Sequence, residues 1–144
     1  MTYSIIIANK FVNFKLIKTI KSISIQKCLK ETEVIIVNKD KNNNLNYIPS
    51  LFSNIKFKII NSNDKNISDA FNKGLKMVKN KYVYFIGSGD TFYNQDVLKN
   101  IKKFTYDKKT QLIIGKVLIH GKYKTQISNT FYHKLSLLTK LSIP

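Results

Sequence analysis

The strongest constraint on this chain is an alternation. Short apolar runs with no two-residue period recur along it, separated by stretches whose apolar residues return every three or four positions. "YSIIIA" (Tyr3–Ala8), "EVIIVN" (Glu33–Asn38) and "KYVYFIG" (Lys81–Gly87) are too short for helices and rich in β-branched and aromatic residues. They read as strands buried on both faces. "IKFKII" (Ile55–Ile60) alternates and reads as a strand more exposed on one side. Between these runs, Leu16, Ile20 and Ile23 predict an amphipathic helix over Asn13 to Gln26. A short helix is expected over Asn44 to Ser53, with Pro49 breaking or ending part of it. Ile67, Ala70, Phe71, Gly74, Leu75 and Val78 form the clearest helical stripe, with Asn66 as N-cap and Asp69 in the first turn. Val97, Leu98, Ile101 and Phe104 form another, capped by Asn94. "TQLIIGKVLIHGKYKTQIS" reads as two strands turning at His120-Gly121, and the last residues carry only a weak signal for a short helix. Strands alternating with helices across short loops specify βαβ units. The expected fold is therefore α/β: a mostly parallel sheet flanked by helices on both faces, with a C-terminal β-hairpin. No linker or internal repeat divides residues 1–144, which read as one domain.

Composition narrows function less than the charge suggests. The formal net charge is +17, and all 25 basic residues are lysine. Such a chain could bind nucleic acid, an anionic membrane surface or a phosphorylated ligand. Against nucleic acid, the lysines are scattered, arginine is absent, and no helix-turn-helix, zinc or aromatic RNA-binding signature is present. The lysine, asparagine and isoleucine bias fits an AT-rich coding sequence. The single cysteine, Cys28, excludes an internal disulfide, suits a reducing cytosol and reads as a small core residue near a helix end. No secretory signal and no run approaching about 20 apolar residues is present.

The candidate site lies in "YVYFIGSGDTFYN" (Tyr82–Asn94), where a strand stops on glycines and presents one acid, Asp90. In open parallel sheets ligands bind at the carboxyl ends of strands. Gly87 and Gly89 permit a tight turn and close approach of a bulky ligand. A lone, uncrowded carboxylate suits a hard divalent cation whose other oxygens come from water and phosphates. An acid capping the following helix is the simpler alternative.

These segments resemble the nucleotide-sugar half of a family 2 glycosyltransferase with a GT-A-type, Rossmann-like fold. The resemblance is carried by the Thr19-Ile20-x-Ser22-Ile23-x-x-Gln26 run, by Asp64-x-x-Ile67-x-Asp69-Ala70-x-Asn72-Lys73-Gly74, and by Ser88-Gly89-Asp90 after the fourth strand. It covers residues 3 to 105 well and continues weakly beyond. It implies that Asp90 holds Mg²⁺ or Mn²⁺ against the donor diphosphate, beside Ser88 and Gly89. It implies that Ile7, Ala8 and Asn9 line the nucleotide base. Asn38 stands where the family usually has an aspartate, and Asp40 is placed to compensate. Asp69, Asn72 and Lys73 would face the donor, with Lys73 offsetting diphosphate charge; for these, capping and a solvated helix face is the rival reading.

The resemblance further implies inverting, metal-dependent transfer of a sugar from a nucleotide diphosphate to a glycan or lipid-linked acceptor. In bacteria such enzymes commonly build capsule, lipopolysaccharide or other surface polysaccharide in the cytoplasm, at the inner face of the membrane. The family's general base lies farther along, near a His-Gln pair expected just after a segment like "LSIP", where this chain stops. No catalytic base is assigned; His120 and His133 sit in no matching motif. The expectation is a donor-binding portion, incomplete at its C-terminus, that binds a nucleotide diphosphate with a cation but turns over poorly. The alternatives are a basic nucleic-acid-binding α/β protein, an inactive glycosyltransferase remnant, and a nucleotidyltransferase, which would want a glycine-rich loop that "IIIANKFVN" lacks.

Overall fold

The computed structural model describes residues 3–42, 44–105, 113, 115–120 and 125–128. They belong to two units, Met1–Lys108 and Lys109–Pro144. In the first, strands β1 (Tyr3–Asn9), β2 (Thr32–Asn38), β3 (Lys56–Asn61) and β4 (Tyr82–Gly87) form one sheet in the order β3-β2-β1-β4. Every pairing is parallel. β1 runs in register with β2 from Tyr3–Thr32 to Asn9–Asn38, and with β4 from Tyr3–Tyr82 to Ala8–Gly87. The helices are α1 (Phe14–Ser24), α2 (Ile48–Leu51), α3 (Ile67–Leu75) and α4 (Val97–Phe104). In the second unit, β5 (Val117–His120) and β6 (Thr125–Ser128) pair antiparallel. The expected turn at Gly121 and the final segment with His133 lie outside the described residues.

The unalternating runs are explained by burial on both sides. Ile5, Ile7, Val34 and Ile36 pack on one face of the sheet with Leu16, Ile20 and Ile23 of α1, Ile48 of α2 and Leu98 of α4. Ile6, Ile35 and Val37 pack on the other with Ala70 of α3. A parallel sheet covered by helices on both faces is the arrangement that removes all of these side chains from water. Each fully buried isoleucine or leucine contributes about 1.5–3 kcal/mol. Gly74 brings α3 onto the sheet: a Cβ there would lie 2.5 Å from Ile6 Cγ2 and 3.1 Å from Val37 Cγ2. Among the described residues no helix is long and apolar enough to cross a membrane.

Several local expectations are corrected. Pro49 does not break α2; it lies in its first turn, where a missing N–H costs no helical bond. Asn94 does not cap α4. Its Oδ1 accepts the Asp96 N–H at 2.9 Å, forming a turn that delays the helix to Val97. β4 is not buried on both faces: among the described residues it is an edge strand with β1 as its neighbour, and Phe85 is 46% exposed, its ring tilted against Phe71 of α3. Ile67 and Phe104, expected in buried stripes, are exposed because they occupy the two ends of their helices. Cys28 is exposed and adopts a left-handed conformation at φ 71°, so it is not a core residue.

At the edge of the sheet where β1 and β2 begin, Glu33 is held by three donors. Ser4 Oγ donates to it at 2.6 Å, the Lys79 N–H at 3.2 Å, and Lys58 Nζ pairs with it at 2.6 Å. Burial pushes the Glu33 carboxyl up, but Lys58, Ser4 and Lys79 together pull it below its ordinary value. A lowered folded-state value stabilises the fold above the unfolded value, and this is lost as pH falls through the folded one. Two outcomes follow for urea denaturation. Gly74→Ala lowers stability by about 1–2 kcal/mol, because overpacking against Ile6 outweighs the gain in helix propensity. Glu33→Gln lowers stability by about 1–2 kcal/mol near neutral pH, and the difference from wild type shrinks at acid pH once Glu33 is protonated.

Candidate functional site

Parallel pairing delivers the ends of β1, β2, β3 and β4 to one edge of the sheet. The segments that leave those strands enclose a cleft of about 590 Å³. Its lining is Ala8–Phe11, Asn13 and Lys15 after β1, Lys39 after β2, Asp64–Ile67 and Ala70 after β3, and Gly87, Ser88 and Asp90 after β4. Four lysines against two aspartates give the cleft a positive balance. The Lys39 ammonium is fixed there, donating to the Asp64 carbonyl at 2.6 Å.

Asp90 is placed by its backbone. The Ser88 N–H donates to the Ala8 carbonyl at 3.0 Å, which prolongs the β1–β4 ladder beyond β4. The Asp90 N–H then donates to the Gly87 carbonyl at 3.1 Å, closing a turn through Gly89 at φ +111°. This turn folds the carboxylate back over Gly87, where an added Cβ would stand 3.0 Å from Oδ2. Burial first, and then the Asp90 charge, raise the Tyr84 hydroxyl above its ordinary value. Asp90 itself is exposed at the cleft wall.

The other expected site residues divide. Ala8, Asn9 and Ser88 line the cleft with Asp90. Ile7 is fully buried in the core behind it. Asn38 is also fully buried: its Oδ1 accepts from Asn9 Nδ2 at 2.9 Å, and its Nδ2 donates to the Asp40 carbonyl at 2.7 Å and Asn61 Oδ1 at 3.1 Å. The Asp40 carboxylate accepts the N–H groups of Val12 and Asn42 at 3.2 Å each. Asp69 pairs with Lys73 at 3.1 Å and accepts the Lys65 N–H at 2.9 Å, so it braces the start of α3. The Lys65 N–H and the Lys73 ammonium lower the Asp69 carboxyl. Asn72 is exposed on the same helix, and Gly89 supplies the turn. Asp69, Asn72, Lys73, Asp40, Asn38, Ile7 and Gly89 lie outside the cleft lining.

Two acceptors in the cleft have no protein partner. Asn9 is 3% exposed and Asp64 is 8% exposed, yet Oδ1 of each accepts no hydrogen bond. An unmet buried acceptor costs about 1–3 kcal/mol, which a ligand donor or water would offset. Asp64 and Lys39 carry no expected role in the sequence reading. The available signal for Asp64 is its place just past a strand end, at the head of its motif.

The donor set fits a cation in a limited sense. Among the described residues no three His, Cys, Asp or Glu side chains cluster. What the cleft offers is one exposed carboxylate on Asp90, folded over Gly87, beside the Ser88 hydroxyl. Such a set suits Mg²⁺ or Mn²⁺ that takes its remaining oxygens from phosphates and water.

A parallel α/β sheet places its ligand sites at the carboxyl ends of its strands, where this lysine-rich cleft and its strand-end acid lie. The sequence comparison is more specific: residues 4–141 match the glycosyl transferase family 2 profile, and the chain belongs to that family. Among curated proteins it is similar to the poly(ribitol-phosphate) beta-N-acetylglucosaminyltransferase TarP of Staphylococcus aureus (strain N315), at 34% identity over 113 residues. That match covers 75% of this chain and 34% of TarP, so the chain spans about a third of that relative's length. Among solved structures it resembles S. aureus TarS, with a TM-score of 0.64 and 21% identity over 74% of this chain and 20% of TarS. TarS 1-349 in complex with UDP-GlcNAc gives a TM-score of 0.62 at 22% identity, covering 74% of this chain and 32% of that one. At these identities the likeness establishes the fold.

The strained turn yields a direct test. Gly89→Ala forces an L side chain into the positive-φ half of backbone space, and lowers stability by about 1–3 kcal/mol in urea denaturation. Sterics contribute little to this loss, since the nearest atom, Lys15 Cδ, lies at ordinary contact distance, 3.6 Å from the added Cβ.

Proposed function

We propose that this chain binds UDP-GlcNAc with Mg²⁺ or Mn²⁺ as the donor side of an inverting glycosyltransferase acting on a poly(ribitol-phosphate)-like acceptor. The observation that carries the reading is Asp90: a lone carboxylate folded over Gly87 at a strand end, on the wall of a lysine-rich cleft. TarP supports the sugar and acceptor through the activity in its name, and TarS 1-349 supports the donor through its complexes with UDP and UDP-GlcNAc. The net charge of +17 suits a polyanionic acceptor and work at the cytoplasmic face of a membrane.

In this reading Ala8 and Asn9 face the nucleoside, with Asn9 Oδ1 and Asp64 Oδ1 as acceptors for its N–H and O–H groups. Ile7 and Asn38 support that wall from behind. Lys15, whose side chain passes Gly89, and Lys10 offer positive charge to the diphosphate, while Lys39 stands on the Asp64 carbonyl beside the nucleoside. Asp90, with Ser88 beside it, holds the cation. When bound, that cation stabilises the negative charge that builds on the leaving diphosphate. These lysines line the cleft, so their charge adds to this stabilisation. The Asp69–Lys73 pair serves α3, and Asp40 serves the loops after β1 and β2.

The test is calorimetry of UDP binding with and without Mn²⁺. Mn²⁺ is expected to tighten UDP by about tenfold or more, equivalent to about 1.4 kcal/mol. Asp90→Asn is expected to abolish that gain while leaving metal-free UDP binding within about twofold. Failure of the folded protein to bind UDP under either condition would falsify the donor reading.

A further inference from the structure

The run Thr19-Ile20-x-Ser22-Ile23-x-x-Gln26 is singled out by the sequence but has no part in the cleft. Its apolar members are core residues of α1. Its polar members serve a different end: we propose that Thr19, Ser22 and Gln26 are positioning residues that hold the loop carrying Asp90. The functional half of this inference rests on the reading of Asp90 given above.

The three side chains lie on one face of α1 and its C-terminal extension, at i, i+3 and i+7. Each reaches the segment that runs from Gly89 into the first turn of α4 at Leu98. Thr19 is fully buried, accepts the Gly89 N–H at 2.9 Å and donates to the Asp90 carbonyl at 2.8 Å. Its hydroxyl has one hydrogen, and the alternative acceptor, the Lys15 carbonyl, is farther at 3.2 Å. Ser22 Oγ accepts the Phe92 N–H at 3.2 Å and donates to the Thr19 carbonyl at 2.8 Å. Gln26 is 5% exposed; its Nε2 donates to the Asn94 carbonyl at 2.6 Å and the Ser22 carbonyl at 3.1 Å, while Oε1 accepts the Leu98 N–H at 3.2 Å. The seam ends with the Lys27 N–H donating to the Gln95 carbonyl at 2.9 Å and the Lys27–Asp96 ion pair at 2.9 Å.

The loop thus has its backbone groups met by side chains of a rigid helix rather than by a second strand. Thr19 brackets Asp90 most closely, because its two bonds go to the residue before the acid and to the acid's own carbonyl. Those bonds hold the positive φ of Gly89 and leave the Asp90 carboxylate as the free end of a fixed backbone. A carboxylate that must meet a cation and a diphosphate in one geometry loses affinity when its supporting shell loosens. A valine at position 19 keeps the shape and removes both bonds. A serine keeps both.

The experiment uses the 144-residue chain. Amide exchange at Gly89 and Phe92 reads the loop, and calorimetry of UDP with and without Mn²⁺ reads its consequence. Thr19→Val is expected to speed Gly89 exchange by about tenfold or more. It is also expected to cut the Mn²⁺-dependent gain in UDP affinity by about tenfold, with metal-free UDP affinity unchanged within about twofold. Thr19→Ser is expected to restore both. If Thr19→Val does not fold, Ser22→Ala, which removes one loop bond, is read in the same way at Phe92. Unchanged exchange at the loop amides overturns the inference, as does an equal loss of UDP affinity with and without Mn²⁺. If Asp90→Asn leaves the Mn²⁺ effect intact, the reading of Asp90 fails instead, and loop exchange in the Thr19 and Ser22 variants still decides whether α1 holds the loop.

Discussion

β1 is hydrogen-bonded in parallel on both sides, and what happens at the carboxyl edge depends on that. Parallel neighbours on either side commit three strands to end at the same place, whatever lies between them in sequence. With β3 parallel to β2 as well, the chain leaves the sheet four times within a small area. The first residue of an exit can prolong the ladder, as the Ser88, Lys39 and Ser62 N–H groups do on Ala8, Asn9 and Asn38, but beyond that side chains also meet the edge: Asn9, Asn38 and Asn61 across the strand ends, Asp40 at the Val12 N–H, and Thr19 at Gly89. Buried polar groups must be matched, and here the matching also shapes a cleft.

Because helices cover both faces, the edge is the place where ligand can approach the strand ends. Gly74 lets α3 settle against Ile6 and Val37, which brings Ala70 and the start of the helix to the cleft wall. On the opposite face, α1 supplies Leu16, Ile20 and Ile23 to the core and Thr19, Ser22 and Gln26 to the loop after β4. α1 therefore takes part both in core packing and in holding the loop that carries Asp90. A change in how α1 seats on the sheet moves Asp90 as well.

Much of this was readable from residues alone, for identifiable reasons. Two-sided burial leaves a strong mark on sequence, so β1, β2 and the stripe of α1 stand out. Asp90 stands out because glycines isolate it. What a sequence conceals is partnership at a distance. Thr19 and Gly89 are 70 residues apart, and nothing local in the α1 run shows that its hydroxyl faces a loop. Asp64 and Lys39 meet only because β2 and β3 are neighbours in the sheet. Local chemistry also misleads: Asn94 looks like a helix cap, but its side chain is spent on an earlier turn, and Pro49 looks like a breaker where it serves as a starter. The family resemblance supplied roles for Asn72 and Lys73 that their helix does not direct into the cleft lining.

The asparagine at position 38 illustrates how such a departure from a family pattern can be structural. The resemblance leads one to expect an aspartate there, which Asn38 replaces. In this chain the side chain is fully buried and uses both ends of its amide. Oδ1 accepts from Asn9 and from the Asp40 N–H, while Nδ2 donates to the Asp40 carbonyl and to Asn61 Oδ1. A carboxylate could keep the two accepted bonds but has no hydrogen for the other two. It would set a buried negative charge against two oxygens, unless Asn61 turned its amide around. Asparagine is the residue that this edge of the sheet demands once Asn61 and the Asp40 carbonyl face it. The acid that the cleft retains on that side is Asp64, one strand farther across and with an unmet oxygen. On that side of the cleft the carboxylate therefore comes from the segment after β3 and not from the end of β2.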